Sequence, residues 1–313
     1  MAKICRRFLE NLLGWFLGFI VLILLVIFIF SWGIFVPKEK VSKEKIFSVE
    51  RGQGLFEIGE NLEKEGLIKS KIFFDFYVIL IGKEKNLQAG KYLLSSSMNV
   101  PQIAQKIISG DIAKTKVTIP EGFTVKEIEE KLKIKLPGEN LEGYLFPDTY
   151  YFPIDVSGEE VVRIMRENFE KKISPYKEEI EKSGRSLQEI ITMASLLEKE
   201  VKTKEEKEIA SGILWKRLKA GIPLQVDATI TYITGKKTTK ISLEDLQIDS
   251  SYNTYKYKGL PPGPICNPGL ESILAALYPK ESEYWYYLST PDGKTLFFKT
   301  LEEHNLAKAK YLK

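Results

Sequence analysis

Apolar and polar positions alternate with different periods along this chain. Residues 12–36, LLGWFLGFIVLILLVIFIFSWGIFV, carry no charge. At about 1.5 Å per residue such a run crosses a bilayer core of roughly 30 Å. Trp15 and Trp32 near its ends, and the lack of an A-x-A site after it, predict an uncleaved transmembrane helix and not a signal peptide. After a charged linker at 38–45, a strand-like run precedes a helix with apolar steps of three and four in each of three places. These are 46–49 before Leu55, Ile58 and Leu62; 91–94 before Val100, Ile103 and Ile107; and 117–119 before Val125, Ile128 and Leu132, with Thr124 as N-cap. The apolar segment 72–81 predicts a packed helix too short for a second span. Aromatics surround a Pro-Asp turn in 141–153, and helices are expected over 158–182, 186–201 and 204–220, the last with Ile209, Ile213, Leu214 and Leu218 on one side. PLQVDATITYI reads as a strand or a strand-to-helix entry, 251–269 as a Pro/Gly-rich loop, EYWYYLS–TPDG–KTLFF as a hairpin and 301–312 as a terminal helix.

The most apolar of these helices carries the chemistry. In LQEIITMASLLEKEV, residues Leu187, Ile191, Ala194, Glu198 and Val201 share one stripe, and Ile190, Met193, Leu196 and Leu197 widen it. An ionised Glu on an inward stripe costs several kcal/mol, so such a group raises its pKa and keeps its proton, as a general acid requires. Glu198 is the candidate; Glu200 and Lys199 fall off the stripe. A structural ion pair is the alternative for a buried Glu.

Composition narrows the function. With 313 residues, 44% hydrophobic and 28% charged, the chain is long enough for two domains with cores. A net charge of +4 with interspersed signs and no phosphate loop argues against a nucleic-acid partner or a nucleotide cofactor. The single histidine, His304, leaves no histidine metal cluster and disfavours a Ser-His-Asp hydrolase; no cofactor is expected. Cys5 and Cys266 lie on opposite sides of the apolar run and give no disulfide framework. What remains is a buried acid, aromatic surfaces and side-chain amides, the usual lining of a carbohydrate groove. Most glycosidases need a second carboxylate, and Asp227, Glu142 and Asp148 are the candidates.

The strand-and-helix units at 46–140 resemble LysM modules, which bind N-acetylglucosamine polymers. In the second half EGYLFPDTY, ASLLEKE, GIPLQVDATITY, YNTYKYKGLPPGPICNPG and FFKTLEEHN follow one another in an order that resembles the YceG-like family of endolytic murein transglycosylases, from about residue 46 to the end. The resemblance implies an α+β protein with a transmembrane helix, a small LysM-like β/α module and a mixed α+β catalytic domain built on a buried catalytic helix. Its parts are expected at 1–37 (cytoplasmic tail and transmembrane helix), 38–45 (linker), 46–140 and 141–313. It implies a lytic transglycosylase anchored in a bacterial plasma membrane through 12–36, single-pass, with the catalytic domain outside the cytoplasm. Glycan strands of peptidoglycan are the implied partner, and peptidoglycan synthases a further one. By the family's A-S-x-x-E-K-E motif Glu198 is the implied acid, and Gln225, Asp227, Tyr252, Asn253 and Thr254 position the substrate. Val226 and Ala228 replace the family's usual Thr and Pro around Asp227. Glu142 and Tyr144 are expected to shape the fold, and His304 to pack or cap. Two rival readings are a hydrolase with Asp227 activating water and a non-catalytic glycan-binding or division scaffold.

Overall fold

The structure is a computed structural model that describes residues 2–41, 43–236 and 241–311, with side chains from Leu13 onward. Leu312, the expected end of the terminal helix, and the side chain of Cys5 lie outside the described residues. The chain divides into two compact units, residues 1–115 with 152–155, and residues 116–151 with 156–313.

The first unit begins with helix α1 (Ala2–Phe35), whose apolar stretch Leu13–Phe35 is long enough to cross a membrane. Then come β1 (Lys45–Val49), α2 (Leu55–Lys64), α3 (Lys71–Leu80), β2 (Gly90–Leu94) and α4 (Val100–Ser109). The strands pair antiparallel, with Phe47 opposite Tyr92. Their inward residues Phe47, Tyr92 and Leu94 are covered by Ile58 and Leu62 of α2, Phe74 and Val78 of α3, and Ile103 and Ile107 of α4, all fully buried. The apolar steps of three and four therefore point at one core, which is why the sequence pattern locates these helices.

Strand β3 (Lys114–Thr118) leads into α5 (Val125–Leu132), followed by β4 (Thr149–Pro153), which pairs with β3. The third strand-and-helix pair, which the pattern groups with the first two, thus lies mostly in the second unit, and a module boundary near 140 does not match the division at 115/116. The reason is local. The strand finds its partner after the Pro-Asp turn, where Ile119 N–H donates to Asp148 O (2.9 Å), and α5 is fixed at its start by the Glu142 carboxylate accepting from Val125 N–H (3.1 Å). Thr124 caps α5 in a reciprocal box with Glu127.

The second unit continues through α6 (Gly158–Ile173), a single turn of 3-10 helix at Ser174–Tyr176, α7 (Lys177–Lys182), α8 (Leu187–Glu200), α9 (Lys204–Lys219), α10 (Asp227–Thr234), a second such turn at Asp245–Gln247 and α11 (Leu270–Leu277). It ends in the hairpin β5 (Tyr286–Ser289) and β6 (Thr295–Phe298), then α12 (Leu301–Tyr311). The expected single helix over 158–182 is broken at Pro175, which has no N–H to continue the ladder.

Helix α8 is the axis of this unit. Ser186 caps it in a box with Glu189, and every residue from Ile190 to Leu197 is buried, among Phe169 of α6, Ala210 and Leu214 of α9, and Ile273 and Ala276 of α11. Gly143, at φ 87°, lets the 141–146 turn approach α8: a Cβ there would lie 2.5 Å from Pro264 Cγ and 2.8 Å from Ile191. Helix α9 departs from its expected face. Its buried residues include Lys207 and Arg217 beside Ala210, Ile213 and Leu214. Two cations have been turned inward, toward the end of α8 and the loop after α9.

Candidate active site

The last turn of α8 presents two carboxylates in different directions. Glu198 Oε2 accepts from Ser272 Oγ (2.6 Å) and Gly269 N–H (3.0 Å), and lies 3.5 Å from Lys207 Nζ. The Glu198 and Lys207 side chains are only 9% and 5% exposed. This carboxylate is held as a buried, hydrogen-bonded ion pair between α8, α9 and α11, the alternative the sequence leaves open for it.

Glu200 leaves the helix on another side. Its Oε2 accepts from Tyr287 OH (3.2 Å) on β5, its Oε1 from Ala228 N–H (3.4 Å) in the first turn of α10, and its backbone carbonyl from Ser289 Oγ (3.0 Å). Like Glu198, the residue as a whole is half-buried. Burial of the carboxyl, helped by the neighbouring charge of Asp227, pushes its pKa up to about 7, against the pull of Ala228 N–H and Tyr287 OH. Glu200 thus has the surroundings expected of a protonatable acid. The stripe could not separate them because α8 is buried all round: Met193, Leu197 and Glu200 also follow one another at steps of four and three. A signal was present in the sequence, since Glu200 closes the helix just before Val201, where a side chain can reach from a buried helix into an opening.

Asp227 begins α10 and stands next to this acid. It is exposed, and Tyr255 OH donates a short hydrogen bond to its Oδ1. Burial and then the Asp227 charge push the Tyr255 hydroxyl well above its usual range, and burial and then Glu200 do the same to Tyr287. Both phenols therefore stay protonated donors. The segment before Asp227 is set by α9 and the loop. Gln225 takes φ 54°, a left-handed conformation uncommon for a residue with a side chain. It is held there by Gln225 N–H donating to Thr254 O (3.1 Å) and by Arg217 Nη2 donating to Gln225 Oε1 (3.1 Å) and Pro223 O (2.6 Å). Residues that depart from ordinary backbone geometry gather at functional sites. Gln225 and Asp227 stay exposed while Val226 between them is buried, so the strand-to-helix entry presents both polar side chains outward.

The remaining expected substrate residues do not join them. Asn253 is fully buried: its Nδ2 donates to Leu246 O (3.0 Å) and Ile248 O (2.8 Å), and its Oδ1 accepts from Tyr255 N–H (3.0 Å). Thr254 Oγ1 accepts from Val226 N–H (2.9 Å) and lies 3.1 Å from Thr229 Oγ1. These two residues spend their polar groups on the loop that places Tyr255 and Gln225. Tyr252 sits elsewhere, its ring tilted at 45° against Tyr232 with centroids 5.1 Å apart, and it lines a cleft of about 550 Å³ with Tyr144, Arg166, Phe169 and Gln188. Gln188 lies at the other end of α8 from Glu200.

The other candidates are structural. Glu142, pushed up to about 7 by burial, accepts from Val125 N–H and Asn267 Nδ2 (3.1 Å). Asp148 accepts from Thr149 N–H (2.8 Å) and Asn168 Nδ2 (3.1 Å) and pairs with Lys172 (3.3 Å). His304 stacks on Tyr286 at 5.5 Å, behind the strand that carries Tyr287. Among the described residues no group of His, Cys, Asp and Glu is placed to hold a metal ion.

A protonatable carboxyl with a second carboxylate beside it, phenol donors and an exposed amide make an acid site suited to a glycosidic oxygen. The sequence profile of the YceG-like family matches residues 47–310, and thus covers this whole arrangement. The chain belongs to the YceG-like family. A Bacillus subtilis relative named endolytic murein transglycosylase is 34% identical over 91% of this chain and 90% of its own length. A protein of the same name from Streptococcus pneumoniae strain D39 is 30% identical over 86% of this chain, which spans 59% of that longer relative. The crystal structure of a YceG-like protein from Listeria monocytogenes, at 34% identity, superposes with a TM-score of 0.59 over 86% of this chain and all of that one.

Proposed function

We propose that this YceG-like protein is an endolytic peptidoglycan lytic transglycosylase with Glu200 as its general acid and base. The observation that carries the reading is the Glu200 carboxyl, raised to about 7 by burial and by the charge of Asp227, within a chain whose relatives bear that activity as their name. Glu200 first protonates the oxygen between N-acetylmuramic acid and N-acetylglucosamine. Now a carboxylate, it takes the proton from the muramyl C6 hydroxyl as that oxygen attacks C1. The C1–leaving-group bond breaks, the C1–O6 bond forms and a 1,6-anhydro end remains. One carboxyl serves both steps because the nucleophile is intramolecular and already close. Tyr287 OH and Ala228 N–H steady the ionised form between the steps. Gln225 and Asp227 are the exposed polar groups available to hold sugar hydroxyls, and Tyr252 offers a ring face in its cleft.

The apolar α1 supports anchoring in a bacterial plasma membrane, with the second unit outside the cytoplasm on the side of the glycan. Peptidoglycan synthases that make the strand are the natural partners in this reading, and the first unit would carry the LysM-like contact with glycan. A hydrolase is the second reading, favoured by the Asp227 carboxylate next to Glu200, which could activate a water.

Mass spectrometry of peptidoglycan digested by the wild type, Glu198→Gln and Glu200→Gln tests all of this. Anhydromuramyl products from wild type and Glu198→Gln, and none from Glu200→Gln, establish the reaction and its acid. Loss with Glu198→Gln alone, in a folded protein, returns the role to Glu198. Reducing-end products assign the hydrolase.

A further inference from the structure

Helix α3 has two apolar faces where a core helix needs one. Phe74 and Val78 fill the core of the first unit. On the opposite side Ile72, Phe76 and Ile79 follow one another at steps of four and three, with Leu80 beside them, and are 59%, 44%, 51% and 68% exposed. A contiguous exposed apolar face on a short helix marks a partner surface.

Its place along α1 says which partner. Phe30 of α1 meets Phe73 and Phe76 of α3, with ring centroids 5.6 and 4.8 Å apart. At Gly33 the approach is so close that a Cβ would fall 2.5 Å from the Phe73 ring. Phe30 precedes the end of α1 at Phe35 by five positions, about 7.5 Å along the axis. That is the depth, roughly 5–10 Å, to which interfacial helices bury their apolar face. At the same end of α1, Lys69 Nζ sits 3.4 Å over the Trp32 ring and donates to Trp32 O (3.1 Å), a Trp and Lys pairing suited to the headgroup level. Lys71 starts α3, and Lys83 and Lys85 follow it.

We infer that α3 is a second membrane contact, lying in the interface of the leaflet through which α1 emerges, with Ile72, Phe76, Ile79 and Leu80 in lipid. This rests on the reading of α1 as a membrane anchor. The consequence is that the first unit is seated on the bilayer through two elements and cannot swing freely on the linker at 38–45.

The test uses the full chain with Cys5→Ser, reconstituted in vesicles of phosphatidylethanolamine and phosphatidylglycerol that carry a nitroxide-labelled lipid. Cys266 is buried, with its thiol pushed up by burial, and stays unlabelled. A fluorophore is placed in turn at Leu80→Cys on α3, at Leu24→Cys on α1 and at Lys219→Cys on the exposed surface of the second unit. Quenching at position 80 at least threefold above position 219, and close to that at position 24, supports the inference. Quenching at 24 with none at 80 overturns it and leaves the anchor standing, as it also would if a second copy covered α3. Absence of quenching at 24 overturns the anchor and the inference together.

Discussion

Glu198 and Glu200 lie two residues apart on one helical turn and face opposite fates. Glu198 is enclosed with Lys207 and accepts from Ser272 and Gly269, so its charge is matched on the spot. Glu200 meets the carboxylate of Asp227, the Tyr287 phenol and the Ala228 N–H, with no cation among these partners. A buried carboxylate paired with a cation serves the fold, whereas a buried carboxyl that lacks a cation holds its proton to higher pH and can give that proton away. The difference comes from what each side chain touches across the fold.

The largest expected effect breaks the comparison at Glu200. Glu200→Gln should lower the rate of anhydromuramyl formation by at least 10²–10⁴-fold, the usual worth of a general acid, while thermal unfolding shows an unchanged or higher midpoint. A variant that keeps more than a tenth of wild-type turnover would remove Glu200 from the chemistry.

Glu198→Gln should do the reverse. It leaves Lys207 buried without its partner charge, which costs roughly 3–5 kcal/mol of stability, and the folded fraction should still turn over substrate. Denaturant unfolding together with turnover per folded molecule checks this. Adding Lys207→Met should recover part of the loss.

The pH profile sharpens the comparison further. Because the folded chain holds the Glu200 proton to about pH 7 and an unfolded one releases it near 4.5, folding takes up a proton between those values. Stability from this group is therefore highest below about 4.5 and falls as pH rises toward 7. The acid form is needed for the first step, so kcat/KM should fall on the alkaline side with an apparent pKa near 7. Asp227→Asn removes a raising charge and should move that limb to lower pH; Tyr287→Phe removes a hydrogen bond that favours the ionised form and should move it to higher pH. Shifts of the same sign in both variants would mean that the limb belongs to another group, with Glu142 the first to examine.

The smallest effect belongs to the far cleft. Tyr252→Ala should raise KM for long strands a few-fold with little change in kcat, as loss of one aromatic contact of about 1 kcal/mol would. A fall in kcat equal to the fall in kcat/KM would place Tyr252 with the reacting sugar.

Most elements were legible before any coordinates, for a physical reason. The membrane-length apolar run, the helices at 125, 187 and 204, the strand-to-helix entry at Asp227 and the terminal hairpin are all written in local periodicity and turn chemistry. Pro175 is as local a signal, and it breaks the helix expected over 158–182. The motifs of the second half also carry the family, because their order along the chain is a property of sequence alone. The periodicity of 117–132 matches the earlier strand-and-helix pairs, but strand partners are chosen in space: β3 pairs with β4, beyond the Pro-Asp turn.

The amino-acid sequence by itself determined that a carboxylate would end a buried helix, that aromatic and amide side chains would gather in a Pro/Gly-rich loop and that one apolar helix would precede everything else. Only the tertiary structure decided which Glu is paired and which is poised. Around a helix buried on every side, periodicity makes each position inward, and the environment of a side chain is set by whichever distant segment packs there. Lys207 and Ser272 happen to meet Glu198, Tyr287 and Asp227 meet Glu200, and no spacing within 187–201 records that choice.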